Sequence, residues 1–227
     1  MSTVDDFLAN PPLFLRSNHV LFKGGGPGPA GGGVYDFYLI AVTGRSARYH
    51  SSTFLGLGVG KADAGVFEIR YAGASNLPAV SAADRFQAVW SGFEAGGRSQ
   101  CDLGGAGADL MLTYQLTGCA IAWSARPDGS ARFSHYNLKD AANKRTLDGA
   151  GMAAAADQDY AGAGRFGVLA KERYYARAKH NRAMMHANVI GWRNSGKWEF
   201  WIQYVENKRG VQQIRGVEKL NAGSRVG

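Results

Sequence analysis

Leu110, Leu112, Tyr114 and Leu116 alternate with Met111, Thr113, Gln115 and Thr117. A repeat of two is the side-chain period of an extended strand and does not fit the 3.6-residue period of a helix. The run breaks at Gly118 and delivers Cys119. It resumes over residues 120–125, and Arg126-Pro127-Asp128-Gly129 then leads into a second extended stretch over residues 130–137. Proline sets the backbone for a turn and glycine tolerates its left-handed position, so this tetrapeptide predicts a hairpin. The centre of the chain is therefore committed to sheet, with a cysteine at its entrance.

The rest of the sequence has the same character. Thirty-two glycines and only six prolines are spread over 227 residues, punctuating short apolar runs as tight turns do in β-rich proteins. Residues 19–22, 35–42 and 65–71 read as strands. The C-terminal third reads as a meander: 184–193, a turn at Asn194-Ser195-Gly196, 197–206, a second turn, then 211–219. Helices are expected at 149–157 and 169–178. A further helix is expected from Ser81, capped there, because Phe86, Val89, Trp90 and Phe93 fall at i, i+3, i+4 and i+7. With 45% hydrophobic and 19% charged residues, the chain can bury one core. The expected fold is α+β: a mixed or antiparallel β-sandwich flanked by helices, in a single domain spanning 1–227. Residues 24–33, GGGPGPAGGG, are expected to be a flexible loop within it.

Neither glycine-rich stretch fits a phosphate loop. No Gly-Lys-Ser/Thr follows residues 24–33. In Gly56-Leu57-Gly58-Val59-Gly60-Lys61-Ala62, Ala62 lacks the metal-binding hydroxyl, and Lys61 stands where a dinucleotide fingerprint needs glycine. No apolar run approaches the roughly 20 residues of a membrane span. Residues 1–10 have no basic start followed by an apolar block, so a general secretory signal is not expected, which leaves specialised export systems open. Two cysteines, Cys101 and Cys119, are too few for a disulfide framework and form no metal-binding pair, so free thiols are expected. A net charge of +8 favours an acidic partner.

Registry brings chemistry to the hairpin. If its loop is Pro127, Asp128 and Gly129, Arg126 faces Ser130, His135 lies opposite Ile121, and Cys119 is a diagonal neighbour on the same face. A two-residue loop would put His135 on the other face. A thiol with a pKa of about 8.5 is mostly protonated at neutral pH, and an adjacent imidazole can take that proton. Gly118 allows a substrate close to the backbone, and Thr113 is a candidate to orient the base.

Thr113-Tyr114-Gln115-Leu116-Thr117-Gly118-Cys119, with His135 downstream, resembles the Thr-x-x-Leu-Ser-Gly-Cys…His signature of the Burkholderia lethal factor toxins. These belong with the catalytic domain of cytotoxic necrotizing factor, in a fold shared with bacterial chemoreceptor glutamine deamidases. The match covers about 25 residues. Thr117 replaces the usual serine and keeps the hydroxyl, and the Cys-to-His spacing is longer than in the lethal factor. The resemblance implies a thiol enzyme that hydrolyses a target-protein glutamine to glutamate. Cys119 would be the nucleophile, His135 the base and Thr113 its orienter, with Gly118 and Thr117 shaping the oxyanion side. It implies no metal and no cofactor. The expected setting is a monomeric toxin or effector, made in the cytoplasm, exported by a specialised system and active in a target-cell cytosol.

A different class of reading is binding without catalysis. Residues 171–179 interleave cations with Tyr174 and Tyr175, and Trp192, Trp198, Trp201 and Tyr204 lie on the neighbouring predicted strands. Cations for phosphates and rings for bases make a single-stranded nucleic-acid surface. The plainer reading is a solvated helix face over a sheet core, so nucleic acid is the less favoured partner. His180 and His186 have no metal-ligand spacing. A papain-like order using a late histidine and Asn188 lacks that family's local signatures, and His19 and His50 are read as structural or exposed.

Overall fold

A computed structural model describes residues 3–23, 25–29, 31–50, 61–104, 107–142, 145–177, 184–208, 211–223 and 225–226. Gly56, Leu57, Gly58, Val59 and Gly60 of the second glycine-rich stretch lie outside the described residues, as do Lys179 and His180. The described elements are α1 (Thr3–Ala9), α2 (Pro11–Ser17), β1 (Asn18–Phe22), β2 (Gly33–His50), β3 (Lys61–Tyr71), β4 (Arg85–Ser91), β5 (Arg98–Leu103) and β6 (Leu110–Thr113). There follow β7 (Ala120–Ala125), β8 (Ala131–Tyr136), α3 (Gly149–Asp159), β9 (Phe166–Leu169), α4 (Lys171–Tyr175), β10 (Met184–Asn194), β11 (Lys197–Lys208), β12 (Val211–Leu220) and β13 (Arg225–Val226). The protein is a single α+β domain, mostly sheet.

An eight-stranded mixed sheet runs β1-β3-β2-β12-β11-β10-β6-β4, and a further β2–β4 pairing brings it close to closure. Phe37, Leu39, Ile69, Phe86, Ala88, Trp90, Leu110, Leu112 and Ile190 fill its interior, with Val4 and Phe7 of α1 and Phe14 and Leu15 of α2 packed onto them. Aromatic residues dominate this core because edge-to-face rings fill a curved sheet's interior, each removing a large apolar area from water. A five-stranded sheet, β13-β9-β7-β8-β5, faces the outer side of β10–β12. Ile121, Trp123 and Phe133 on one side meet Phe200, Ile202 and Tyr204 on the other. Helix α3 covers the far side of the small sheet through Met152, Ala156 and Tyr160. These three layers match the flanked sandwich that the strand pattern predicts.

The C-terminal meander forms as predicted, with β10 and β11 paired from Met184↔Asn207 to Asn194↔Lys197. Three local expectations need correction. The predicted helix from Ser81 is a short 3-10 turn over Ala82–Asp84 followed by strand β4. Phe86, Ala88 and Trp90 also alternate; all three enter the interior of the large sheet, and that burial overrides the helical spacing. The predicted helix at 169–178 splits into the end of β9 and the short α4. The alternating run at 110–117 is a strand only over Leu110–Thr113, and it is buried on both faces. Leu110 and Leu112 enter the interior of the large sheet, whereas Met111 enters the core between the sheets.

The described part of the glycine-rich segment packs as a strap. Gly26 N–H donates to the Tyr114 hydroxyl at 2.7 Å, and the Trp90 indole donates to Gly28 O at 2.8 Å. A Cβ on Gly26 would run into the Trp90 ring, so glycine is required there by close approach.

Candidate active site

Hairpin registry is the foundation of the site. Arg126 N–H donates to Ser130 O at 2.8 Å, Gly129 takes φ 83°, and Ser130 N–H donates to the Asp128 carboxylate at 2.9 Å. This closes the three-residue loop and places His135 opposite Ile121. Side chains alternate along β7, so Cys119, two residues before Ile121, lies on the same side, and both belong to the core between the sheets.

Thr113, at the end of β6, reaches the imidazole. Its Oγ1 lies 2.9 Å from His135 Nδ1, with both residues buried. The other nitrogen, His135 Nε2, is buried and has no hydrogen-bond partner. Phe93 stands edge-on to the imidazole, ring centroids 5.3 Å apart, and also packs against Tyr114.

Cys119 is only 6% exposed, yet it lines a cavity of about 450 Å³ with Phe93, Tyr114, Gln115, Thr117, Gly118, Asn137 and Thr146. A neighbouring cavity shares Thr117, Gly118 and Thr146 and adds Lys171, Glu172 and Tyr175. Gly118 lines both, and an added Cβ there would have nothing within 4 Å. The backbone around the cysteine is clamped from α4: Tyr174 donates to Cys119 O at 3.1 Å and Tyr175 to Thr117 O at 3.3 Å. Upstream, Leu116 and Ala187 exchange backbone hydrogen bonds at 2.8 and 3.0 Å, tying the approach to β10.

Burial pushes the Cys119 thiol up to about 11, against a backbone hydrogen bond with Thr117 that favours the thiolate. Burial alone brings His135 down to about 4. At rest the two groups are therefore a thiol and a neutral imidazole. They share a side of the sheet without being hydrogen-bonded to each other, and Nε2 has no partner. Cys119 opens onto the cavity, while His135 does not line it.

Other sequence candidates lie elsewhere. Cys101 is 3% exposed, sits opposite Phe133, and packs in the core between the sheets. Both cysteines are free. His19 and His186 are buried with ring centroids 5.7 Å apart. Among the described residues no group of three or more His, Cys, Asp or Glu could hold a metal, and no helix is long and apolar enough to cross a membrane. Among the described cations and rings of 171–204, Arg177 stacks over the Tyr204 ring, 5.1 Å from its centroid. Tyr174, Trp198 and Tyr204 are buried, Arg173 and Arg177 pair with Glu218, and Trp192 and Trp201 pack against the interior of the large sheet.

Sequence reasoning did not assign Phe93, Gln115, Asn137, Thr146, Tyr174 or Tyr175 to this site. Gln115 sat inside the signature as an unread position. Partners such as Tyr174 and Cys119 meet only through the tertiary fold, across 55 residues. No protein-family model matches the chain, and no curated protein is similar enough to count as a relative.

Proposed function

We propose that this protein is a thiol-dependent protein-glutamine deamidase, a toxin or effector that converts a glutamine of a target protein to glutamate. The observation that carries this reading is the Thr113–His135 contact, which leaves a buried, unpartnered Nε2 on the same side of the sheet as a cysteine that opens onto a cavity. The resemblance of residues 113–119 and His135 to the deamidase signature supports it independently.

In this reading His135 donates its Nδ1–H to Thr113 Oγ1, which leaves Nε2 free to accept a proton. The Cys119 thiol passes its proton to Nε2 as the sulfur attacks the carboxamide carbon. Contacts of this kind commonly tighten only when substrate binds. The Cys119 N–H stabilises the oxyanion. Imidazolium then protonates the departing ammonia, leaving a thioester. Water, deprotonated by His135, attacks that thioester, releasing glutamate and restoring the thiol. The chemistry needs no metal or cofactor. The net charge of +8 suits a target protein with an acidic surface.

The test is expression of wild type and Cys119→Ser in eukaryotic and bacterial cells, followed by proteome-wide mass spectrometry. Glutamine-to-glutamate conversions present only with wild type are expected. An identical set with both proteins would refute the reading.

A further inference from the structure

A chain of buried amides fixes the orientation of one residue in the cavity wall. Val20 N–H donates to Gln203 Oε1 at 3.2 Å, and Gln203 Nε2 donates to Leu15 O at 2.7 Å and Asn18 O at 2.6 Å. Backbone N–H groups only donate and carbonyls only accept, so the Gln203 amide has one permitted orientation. Asn188 Nδ2 then donates to Val20 O at 2.6 Å and to Gln203 Oε1 at 3.3 Å, which leaves Asn188 Oδ1 as an acceptor. Gln115 Nε2 donates to that oxygen at 3.1 Å. The orientation passes link by link from the backbone of α2 and β1 to the wall of the Cys119 cavity. Gln115 then keeps Oε1 as its acceptor, besides the second N–H of Nε2.

We infer that Gln115 reads the substrate's carboxamide, its Oε1 accepting an N–H from the primary amide presented to Cys119. This deepens the deamidase reading and rests on it. A primary amide offers two N–H donors, and the carboxylate formed from it offers only acceptors. A fixed carbonyl oxygen therefore favours glutamine over glutamate, so the same contact that selects substrate helps expel product. A site built around a hydrogen bond discriminates against a ligand that cannot make it. Gln115 is a specificity residue, and Asn188 and Gln203 are positioning residues that act through it.

The test uses Cys119 as its own reporter in a Cys101→Ala background. Iodoacetamide carries the primary amide, iodoacetate the carboxylate, and in both the Sγ–carbon bond forms as iodide leaves. Replacing Gln115 by Met removes the polar end without changing charge. The iodoacetamide-to-iodoacetate rate ratio at Cys119 should fall about three- to tenfold in Gln115→Met, the worth of one hydrogen bond. A second measurement needs no change at Gln115: excess propionamide should slow alkylation of Cys119 and propionate should not. An unchanged ratio in a folded Gln115→Met, or equal protection by the two ligands, overturns the role of Gln115 and leaves the deamidase reading standing. A Cys119 that neither reagent modifies even at pH 10, where the thiolate is populated, overturns the deamidase reading itself.

Discussion

Thr113 Oγ1 and His135 Nδ1 lie 2.9 Å apart, joining the end of β6 in the large sheet to β8 in the small one. The contact spans the boundary between the two layers, so it fixes the imidazole relative to the cysteine loop that follows β6. It also determines which nitrogen can act as base, since a neutral imidazole that donates through Nδ1 must accept through Nε2.

Removing that hydroxyl should separate orientation from burial. In Thr113→Val a buried Nδ1 loses its partner, which costs about 1–3 kcal/mol of stability, and turnover should fall about a hundredfold as the ring loses its fixed tautomer. Thr113→Ser keeps the hydroxyl and should retain activity within about fivefold, at the stability loss of one buried methyl group. Thermal melts and ammonia-release rates on the three proteins check both effects.

The resting ionisation of the pair predicts an unusual reactivity profile. With the Cys119 thiol near 11 and His135 near 4, no thiolate–imidazolium pair exists at neutral pH. The rate of Cys119 alkylation by iodoacetamide should rise about tenfold per pH unit from 7 to 10, because only the thiolate reacts. A plateau between pH 6 and 8 would mean that the ion pair is already formed.

Acid should destabilise the fold through its buried histidines. Folded values of about 3 for His19 and about 4 for His135 and His186 lie below the ordinary 6.5, so the unfolded chain binds more protons across that interval. Stability is then complete above about pH 6.5 and is lost as pH falls towards 4, by up to about 1.4 kcal/mol per pH unit for each histidine. Urea titrations at pH 7.5, 6.0 and 5.0 check this. Equal midpoints at all three would contradict neutral burial.

Much of the site was legible because it is local. Arg126-Pro127-Asp128-Gly129 announces a turn but leaves its length open, and the three-residue loop that forms sets His135 opposite Ile121. The meander was legible for the same reason, from alternation between clear turns. The strand at Arg85–Ser91 was misread because Phe86, Val89, Trp90 and Phe93 satisfy a helical spacing, while Phe86, Ala88 and Trp90 satisfy a strand's. Only the interior of the large sheet decides between them. The roles of Tyr174 and Gln115 could not be read at all, since their partners, Cys119 and Asn188, are distant in the chain. Nor could the pattern reveal that His135 Nε2 rests buried and without a hydrogen-bond partner.

The most direct test of a working Cys119–His135 pair is a double-mutant cycle on ammonia release from lysate proteins, using Cys119→Ser, His135→Ala and the two combined, with Cys101→Ala as control. Groups that act as one unit give non-additive losses. Each single change should lower the rate at least about a thousandfold, the combination should be no worse than either, and Cys101→Ala should stay near wild type. Full activity in Cys119→Ser, or losses that multiply in the combined variant, would contradict the pairing.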